Sequence, residues 1–86
     1  MAHPLHDPRN QRIAVLLTEI RRQRGLLQLD LAERLGRPQS FVSRYESGGR
    51  RLDLTEVMDV LKALEFDVHE FIDQLESSGP PQVLPR

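Results

Sequence analysis

Residues 28–48 of this chain read QLDLAERLGRPQSFVSRYESG. Leucine and alanine recur at helical spacing through the first part of this stretch and predict a short helix over about 28–35. Gly36 permits a sharp turn, and Pro38 suits the first turn of a second helix, over about 38–47. The stretch therefore predicts two short helices joined by a tight turn, and this motif decides the fold.

The second of these helices carries few apolar residues for its length. Val42 and Tyr45 are predicted to anchor it to the core, with Phe41 beside them. Core packing is also favoured for Phe41, and the alternative is a half-exposed ring near DNA that touches a thymine methyl group. The polar side that remains consists of Gln39, Ser40, Ser43 and Arg44. Because the major groove of DNA admits one helix and displays hydrogen-bonding base edges, this side suits contacts with bases. An ordinary solvated helix face is the alternative.

A further helix is predicted on the N-terminal side of this motif. Asp7 suits its N-cap and Pro8 its first position. Gly25 is expected to end it, after arginines whose positive charge suits a helix C-terminus. The inward positions of this first helix are Ile13, Leu16, Leu17 and Ile20.

Two more helices are predicted on the C-terminal side, each opened by a capping box. Asp53 and Glu56 form the first box, and Asp67 and Glu70 repeat it. The predicted inward positions are Leu54, Val57, Met58, Leu61 and Leu64, then Val68, Phe71, Ile72 and Leu75. The expected fold class is all-α, with five helices, no strand, and a helix-turn-helix formed by helices 2 and 3.

The charge of the chain is distributed unevenly along its length. Residues 1–51 contain ten arginines and five acidic residues, whereas residues 52–86 contain two basic and eight acidic residues, although the net charge is only −1. Since phosphates repel acidic groups, only the first part could face a nucleic acid. A solvated surface with accidental asymmetry is the alternative.

The composition excludes several classes of protein. The chain has no cysteine, which removes disulfides and cysteine-type zinc sites. His3 and His6 lie in a predicted tail, and His69 is remote from them, so we expect no metal and no cofactor. No pairing of a nucleophile with a base and no phosphate-cradling glycine loop appears, which argues against an enzyme.

The length of 86 residues predicts one small domain. We expect a flexible tail over 1–7, the helical domain over 8–76 and a second flexible tail over 77–86. No apolar run approaches the roughly 20 residues that a membrane span needs, so no membrane association is expected and a cytoplasmic location follows by default.

The chain as a whole resembles the lambda repressor/Cro-like (Xre) helix-turn-helix family. The resemblance covers about residues 10–76 and implies a five-helix domain that binds double-stranded DNA, usually as a homodimer, and regulates transcription. The segments that carry it are EIR (19–21), GLLQ (25–28), LAERLG (31–36), SFVSRYESG (40–48), RR (50–51) and LKAL (61–64).

The resemblance also implies roles for individual residues. Gln28 matches a glutamine that approaches phosphate, and Arg21 and Glu46 match positions that form an ion pair between the first and third helices. The residues that match the variable, base-contacting positions of the family are Gln39, Ser40, Ser43 and Arg44. Arg50 and Arg51 follow the recognition helix, where phosphates would pass, and are expected to contact the DNA backbone.

Three positions depart from the family pattern. Leu27 stands where serine usually caps the second helix, which should weaken that cap. Leu52 replaces a frequent proline, and Glu65 replaces a frequent glycine after the fourth helix. The last two departures affect the path of the chain around the two C-terminal helices, and so bear more on dimer geometry than on the fold.

The C-terminal part of the domain carries more apolar residues than a small core is expected to bury. A surplus of this kind usually marks an interface. The predicted dimer interface consists of Leu64, Phe66, Val68, Phe71, Ile72 and Leu75. An alternative function is an antitoxin-like module whose acidic C-terminal half binds a partner protein.

Overall fold

The computed structural model describes residues 8–77, and this range contains five α-helices and no strand. The all-α prediction is confirmed. The helices are α1 (Pro8–Gln23), α2 (Gln28–Leu35), α3 (Gln39–Glu46), α4 (Leu54–Ala63) and α5 (Val68–Ser77). The two predicted tails lie outside the described residues, except that Ser77 is the last residue of α5.

One apolar core joins all five helices. Within residues 8–77, α2 packs on α3 and α4, and α1 packs on α3 and α5, so the two helices of the central motif are held from both sides. The buried residues of this core are Leu16, Leu17, Ile20, Leu31, Ala32, Phe41, Val42, Tyr45, Val57, Val60, Leu61, Leu64 and Phe71.

The helix starts follow the local hydrogen-bonding signals closely. At α4, Asp53 Oδ1 accepts from the Glu56 N–H at 2.8 Å, and Glu56 Oε1 accepts from the Asp53 N–H at 3.0 Å. At α5, Asp67 Oδ2 accepts from the Glu70 N–H at 2.9 Å. Pro38 differs from the prediction, because its extended backbone makes it the N-cap of α3 rather than a residue of its first turn.

The inward face of α4 is rotated from the predicted one. Leu54 and Met58 are exposed, and Val60, which the analysis did not place inward, is fully buried. Val60 and Leu61 both reach the core because α4 is covered on a broad arc by α2 and the rest of the domain. A count of apolar spacing alone could not distinguish this arc from a neighbouring one that overlaps it.

Two of the six residues assigned to a dimer interface belong to the core of the domain instead. Leu64 and Phe71 are fully buried within a single chain, so they have no surface left to offer a partner. Phe66, Val68 and Leu75 are half-buried against the same core. Ile72 is the one of the six that is exposed, at 38%.

The start of α2 lacks the side-chain cap that the starts of α4 and α5 have. Leu27 is its N-cap and cannot accept a hydrogen bond through its side chain, whereas Asp30 Oδ2 accepts from the Leu27 N–H at 2.8 Å. Only one half of a reciprocal box is therefore present. The Leu27 side chain is 69% exposed and contributes little burial that a smaller residue would lose.

We expect Leu27→Ser to raise the free energy of unfolding by about 1 kcal/mol, because serine would accept from the orphan N–H of Asp30. Urea titration followed by circular dichroism measures the change. Leu29→Ser is the matched control, since it removes an exposed leucine from the same helix at a position that caps nothing. Equal effects of the two substitutions would contradict the capping argument.

The turn between α4 and α5 shows why glycine is frequent in the family at the position of Glu65. Glu65 has a φ of 57°, and it is the one non-glycine residue with positive φ among residues 8–77. Glycine enters this left-handed region without a steric penalty. The frequent glycine of the family therefore suits the backbone here, and Glu65 adopts the same turn at a conformational cost.

Candidate nucleic-acid interface

The turn between α2 and α3 sets the relative position of the two helices. Gly36 has a φ of 69° and its N–H donates to Glu33 O at 3.2 Å. The next N–H, that of Arg37, donates to Ala32 O at 3.0 Å. These bonds close the last turn of α2, so only Arg37 and Pro38 lie between the glycine and α3.

Helix α3 has one buried side and one polar side. Phe41, Val42 and Tyr45 are buried, and the rings of Phe41 and Tyr45 meet edge to face with centroids 5.6 Å apart. Core packing of Phe41 is confirmed, and the alternative of a half-exposed ring is not, because the ring is covered within the domain. The exposed side consists of Gln39, Ser40, Ser43 and Arg44, the four residues that the sequence assigned to base contacts.

A line of side-chain hydrogen bonds runs from the interior to the start of α3. Arg21 donates to Glu46 from Nε at 2.7 Å and from Nη2 at 3.1 Å, and it also donates from Nη1 to Leu26 O at 2.7 Å. Gln28 Nε2 donates to Glu46 Oε1 at 2.9 Å. Gln39 Nε2 then donates to Gln28 Oε1 at 3.4 Å. The structure thus brings Arg21, Glu46, Gln28 and Gln39 together.

Two groups beneath α3, Arg21 and Tyr45, have shifted pKa values. The hydrogen bond to Glu46 raises the pKa of Arg21. Burial raises the pKa of the Tyr45 hydroxyl, with a further contribution from the nearby Glu46 charge. Arg21 therefore stays positive and Tyr45 stays neutral over the physiological range.

A second cluster, the Phe41 cluster, consists of Arg37, Phe41, Arg50 and Glu56. The guanidinium carbons of Arg37 and Arg50 lie 4.4 and 4.9 Å from the centroid of the Phe41 ring. Arg50 forms a two-pronged ion pair with Glu56, from Nη1 to Oε1 at 3.0 Å and from Nη2 to Oε2 at 2.9 Å. The hydrogen bonds from Arg50 and from the Asp53 backbone lower the pKa of Glu56.

The two arginines predicted to contact the DNA backbone therefore differ. Arg50 is already bound by a carboxylate, whereas Arg51 is exposed, and its side chain forms no ion pair or hydrogen bond within residues 8–77. Arg37 was not predicted to belong to any site, and Glu56 was predicted only as part of a helix cap. The one sequence signal for Arg37 is its position four residues before Phe41, a spacing of about one helical turn. The structure shows that both Arg37 and Arg50 lie over the Phe41 ring.

Two more arginines of residues 1–51 form hydrogen bonds with backbone carbonyls away from α3. Arg24 donates to Leu64 O at 2.9 Å and to Glu65 O at 2.8 Å, and Arg34 donates to Ala63 O at 2.8 Å. These carbonyls lie at the C-terminal end of α4, where they have no partner within the helix and where positive charge is favourable. Part of the excess positive charge of residues 1–51 therefore stabilises the fold.

Two other features are absent from residues 8–77 of the fold. This range contains no group of three histidine or acidic side chains placed to hold a metal ion. None of its helices is long and apolar enough to cross a membrane. The exposed side of α3 and the basic residues around it remain the candidate site.

The fold and this site define a helix-turn-helix domain, and comparison with known proteins agrees. The helix-turn-helix family model matches residues 17–71, most of the described range. The chain belongs to this family, in its lambda repressor/Cro-like (Xre) branch. No curated protein sequence matches the chain significantly.

Solved structures show the same fold. An XRE-family like protein from Pseudomonas syringae pv. tomato is 43% identical, with 90% of this chain and 94% of that chain covered and a TM-score of 0.80. A tetramer of the restriction-modification controller protein C.Esp1396I with its natural 35 base-pair operator is 22% identical, with coverage of 84% and 95% and a TM-score of 0.79. A mutant of that protein bound to its operator site OM is 25% identical, with coverage of 80% and 91% and a TM-score of 0.74.

Proposed function

We propose that this protein is a sequence-specific DNA-binding transcription regulator whose helix α3 lies in the major groove. The observation that carries the proposal is the exposed side of α3, where four polar side chains stand together opposite three buried anchors. Major-groove base edges offer donors and acceptors that amide, hydroxyl and guanidinium groups can match. The operator complexes of the controller protein C.Esp1396I provide a precedent in the same fold.

Within this proposal, Gln39 has the leading role in reading bases. It is the first residue of α3, and recognition helices contact base edges mainly through their N-terminal residues. Gln28 holds one N–H of the Gln39 amide, which leaves its carbonyl oxygen and second N–H for adenine N6 and N7. Ser40, Ser43 and Arg44 complete the base-contacting set.

Phosphate contacts would supply affinity rather than sequence preference. Arg51 and the exposed edge of Gln28 are the proposed contacts with the DNA backbone. Arg50, which the sequence also assigned to the backbone, would first have to leave Glu56. The alternative of an antitoxin-like module depends only on the acidic character of the C-terminal half.

The proposed active form is a homodimer on a twofold-symmetric operator. Two recognition helices related by twofold symmetry would enter successive major grooves about 34 Å apart. The corrected interface centres on the exposed Ile72, with the accessible edges of Phe66, Val68 and Leu75 around it. This side of the domain lies on α5 and the segment before it, away from α3 in the chain.

We expect Gln39→Ala to relax sequence preference at one base pair of each half-site, with a loss of about 1–3 kcal/mol in discrimination. Selection of bound sequences from random DNA, run for the wild type and the variant, measures this directly. Arg51→Ala is the control, because loss of a phosphate contact should weaken every site alike and reduce the salt slope by about 1. If Gln39→Ala selects the same sequence with undiminished discrimination, α3 does not read bases as proposed.

A further inference from the structure

The positive charges beside α3 are held by an acid of the same chain. Arg50 meets Glu56 with both terminal nitrogens, at 3.0 and 2.9 Å, and Arg37 Nη2 lies 3.8 Å from Glu56 Oε2. Carboxylate and phosphate accept the same two-pronged contact from a guanidinium group. Glu56 therefore occupies the two terminal nitrogens through which Arg50 could otherwise meet a phosphate end on.

Glu56 is a fixed group rather than a loose surface acid. Its side chain is only 13% exposed, compared with 39% for Arg50 and 42% for Arg37. It also accepts from the Asp53 N–H at 3.0 Å as part of the cap of α4. The carboxylate is thus held in place by the helix start, whereas the arginines are the partners that solvent reaches.

The cluster lies next to the proposed DNA-reading helix. Both guanidinium groups contact the ring of Phe41, which belongs to the first turn of α3. Arg37 directly precedes the N-cap of α3, and Arg50 follows its C-terminal end by four residues. Charges at these positions would lie near the DNA backbone if α3 enters the major groove.

We propose that Glu56 limits the affinity of the protein for DNA of every sequence, because its carboxylate competes with phosphate for Arg50 and, more weakly, for Arg37. This inference rests on the proposed function. Phosphate contacts carry no sequence information, so an internal competitor lowers binding to all DNA equally. Occupancy of non-operator DNA would be reduced, and the base contacts of α3 would account for more of the remaining binding.

Glu56→Gln tests the proposal, since glutamine at this position can keep its place in a capping box while losing the charge that holds Arg50. Binding to a random-sequence duplex is measured by titration from 50 to 200 mM salt. The plot of log affinity against log salt should steepen by about 0.9, as for one added phosphate contact. The gain in affinity over the wild type should be about threefold larger at 50 mM than at 200 mM salt, which is the factor that this slope gives over the salt range.

Three further variants separate this mechanism from a general change of charge. Asp59→Asn removes a negative charge one turn further along α4, from an exposed residue that lines the same groove as Glu56, and it should leave the slope unchanged. Arg50→Gln alone should also leave it unchanged, because Glu56 already holds Arg50. Arg50→Gln added to Glu56→Gln should abolish the gain.

The inference is overturned if Glu56→Gln behaves like the wild type or like Asp59→Asn, or if the double variant keeps the full gain. It is also overturned if Arg50→Gln alone lowers the slope by about 0.9, since Arg50 would then already contact phosphate. A lower slope for Arg50→Gln would overturn the inference even if Glu56→Gln fails to fold. Absence of DNA binding by the wild type would refute the proposed function as well, which none of the other outcomes does.

Discussion

Phe71→Ala is expected to lower the free energy of unfolding by about 3–5 kcal/mol. Phe71 is 1% exposed and joins α5 to the core that α1, α2, α3 and α4 share. Its removal would leave a cavity that helices held on several sides cannot close. Because domains of this size are only marginally stable, part of the population should unfold at room temperature.

The neighbouring residue provides the matched control. Ile72 is 38% exposed in the single chain, so Ile72→Ala should cost the fold much less and should instead weaken self-association. Urea titration at several protein concentrations separates the two effects, because dimer formation makes apparent stability depend on concentration. If Phe71→Ala weakened the dimer and left the folded monomer equally stable, Phe71 would belong to the interface after all.

Glu46→Ala is expected to destabilise the domain by about 3 kcal/mol, because it strands the charge of Arg21 in the interior. The side chains of Arg21 and Glu46 are 8% and 6% exposed, and they meet at 2.7 Å. For a domain of this length the loss corresponds to a fall in Tm of roughly 12–24 °C. Differential scanning calorimetry of the two proteins measures it.

Glu33→Ala is a suitable control for that experiment, since it removes an exposed acid of α2 that has no ion pair within residues 8–77. It should shift the Tm by little, as surface charges usually do. Glu46→Ala should also disturb Gln28, which donates to the same carboxylate. A Glu46→Ala variant that melted at the wild-type temperature would contradict the pairing argument.

The distribution of arginine contacts changes the electrostatic picture of the molecule. Arg21, Arg24, Arg34 and Arg50 each bond to a carboxylate or to helix-end carbonyls within the domain. The basic half of the sequence is consequently less available to phosphate than its charge count indicates. A regulator of this kind would depend more on base contacts, and less on general attraction, than a strongly basic one.

Much of the fold could be predicted from the sequence because the signals that set helix ends are local. The second helix was predicted over 28–35 and is observed as Gln28–Leu35. Asp53 and Glu56 formed the capping box that their spacing indicated, and Gly36 ended α2 in the left-handed conformation that glycine favours. Each of these features involves residues within four positions of one another, so no knowledge of the packing was needed.

The polar side of α3 was predictable for the same reason. A short helix with apolar residues at positions 41, 42 and 45 must turn those toward the core, and helical geometry then directs positions 39, 40, 43 and 44 outward. The sequence determined which residues lie on that side. Its role in DNA recognition stays a proposal, since it depends on a partner that is not part of the chain.

Which charged and apolar side chains already have partners within the domain depends on the packing of the helices and cannot be read from local spacing. Arg24 reaches carbonyls 40 and 41 residues away, and helical periodicity carries no information about such distant partners. Leu64 and Phe71 looked like surplus apolar residues until packing placed them in the core. Periodicity determines the direction in which a side chain points from its own helix, but what covers that side depends on how the other helices pack against it.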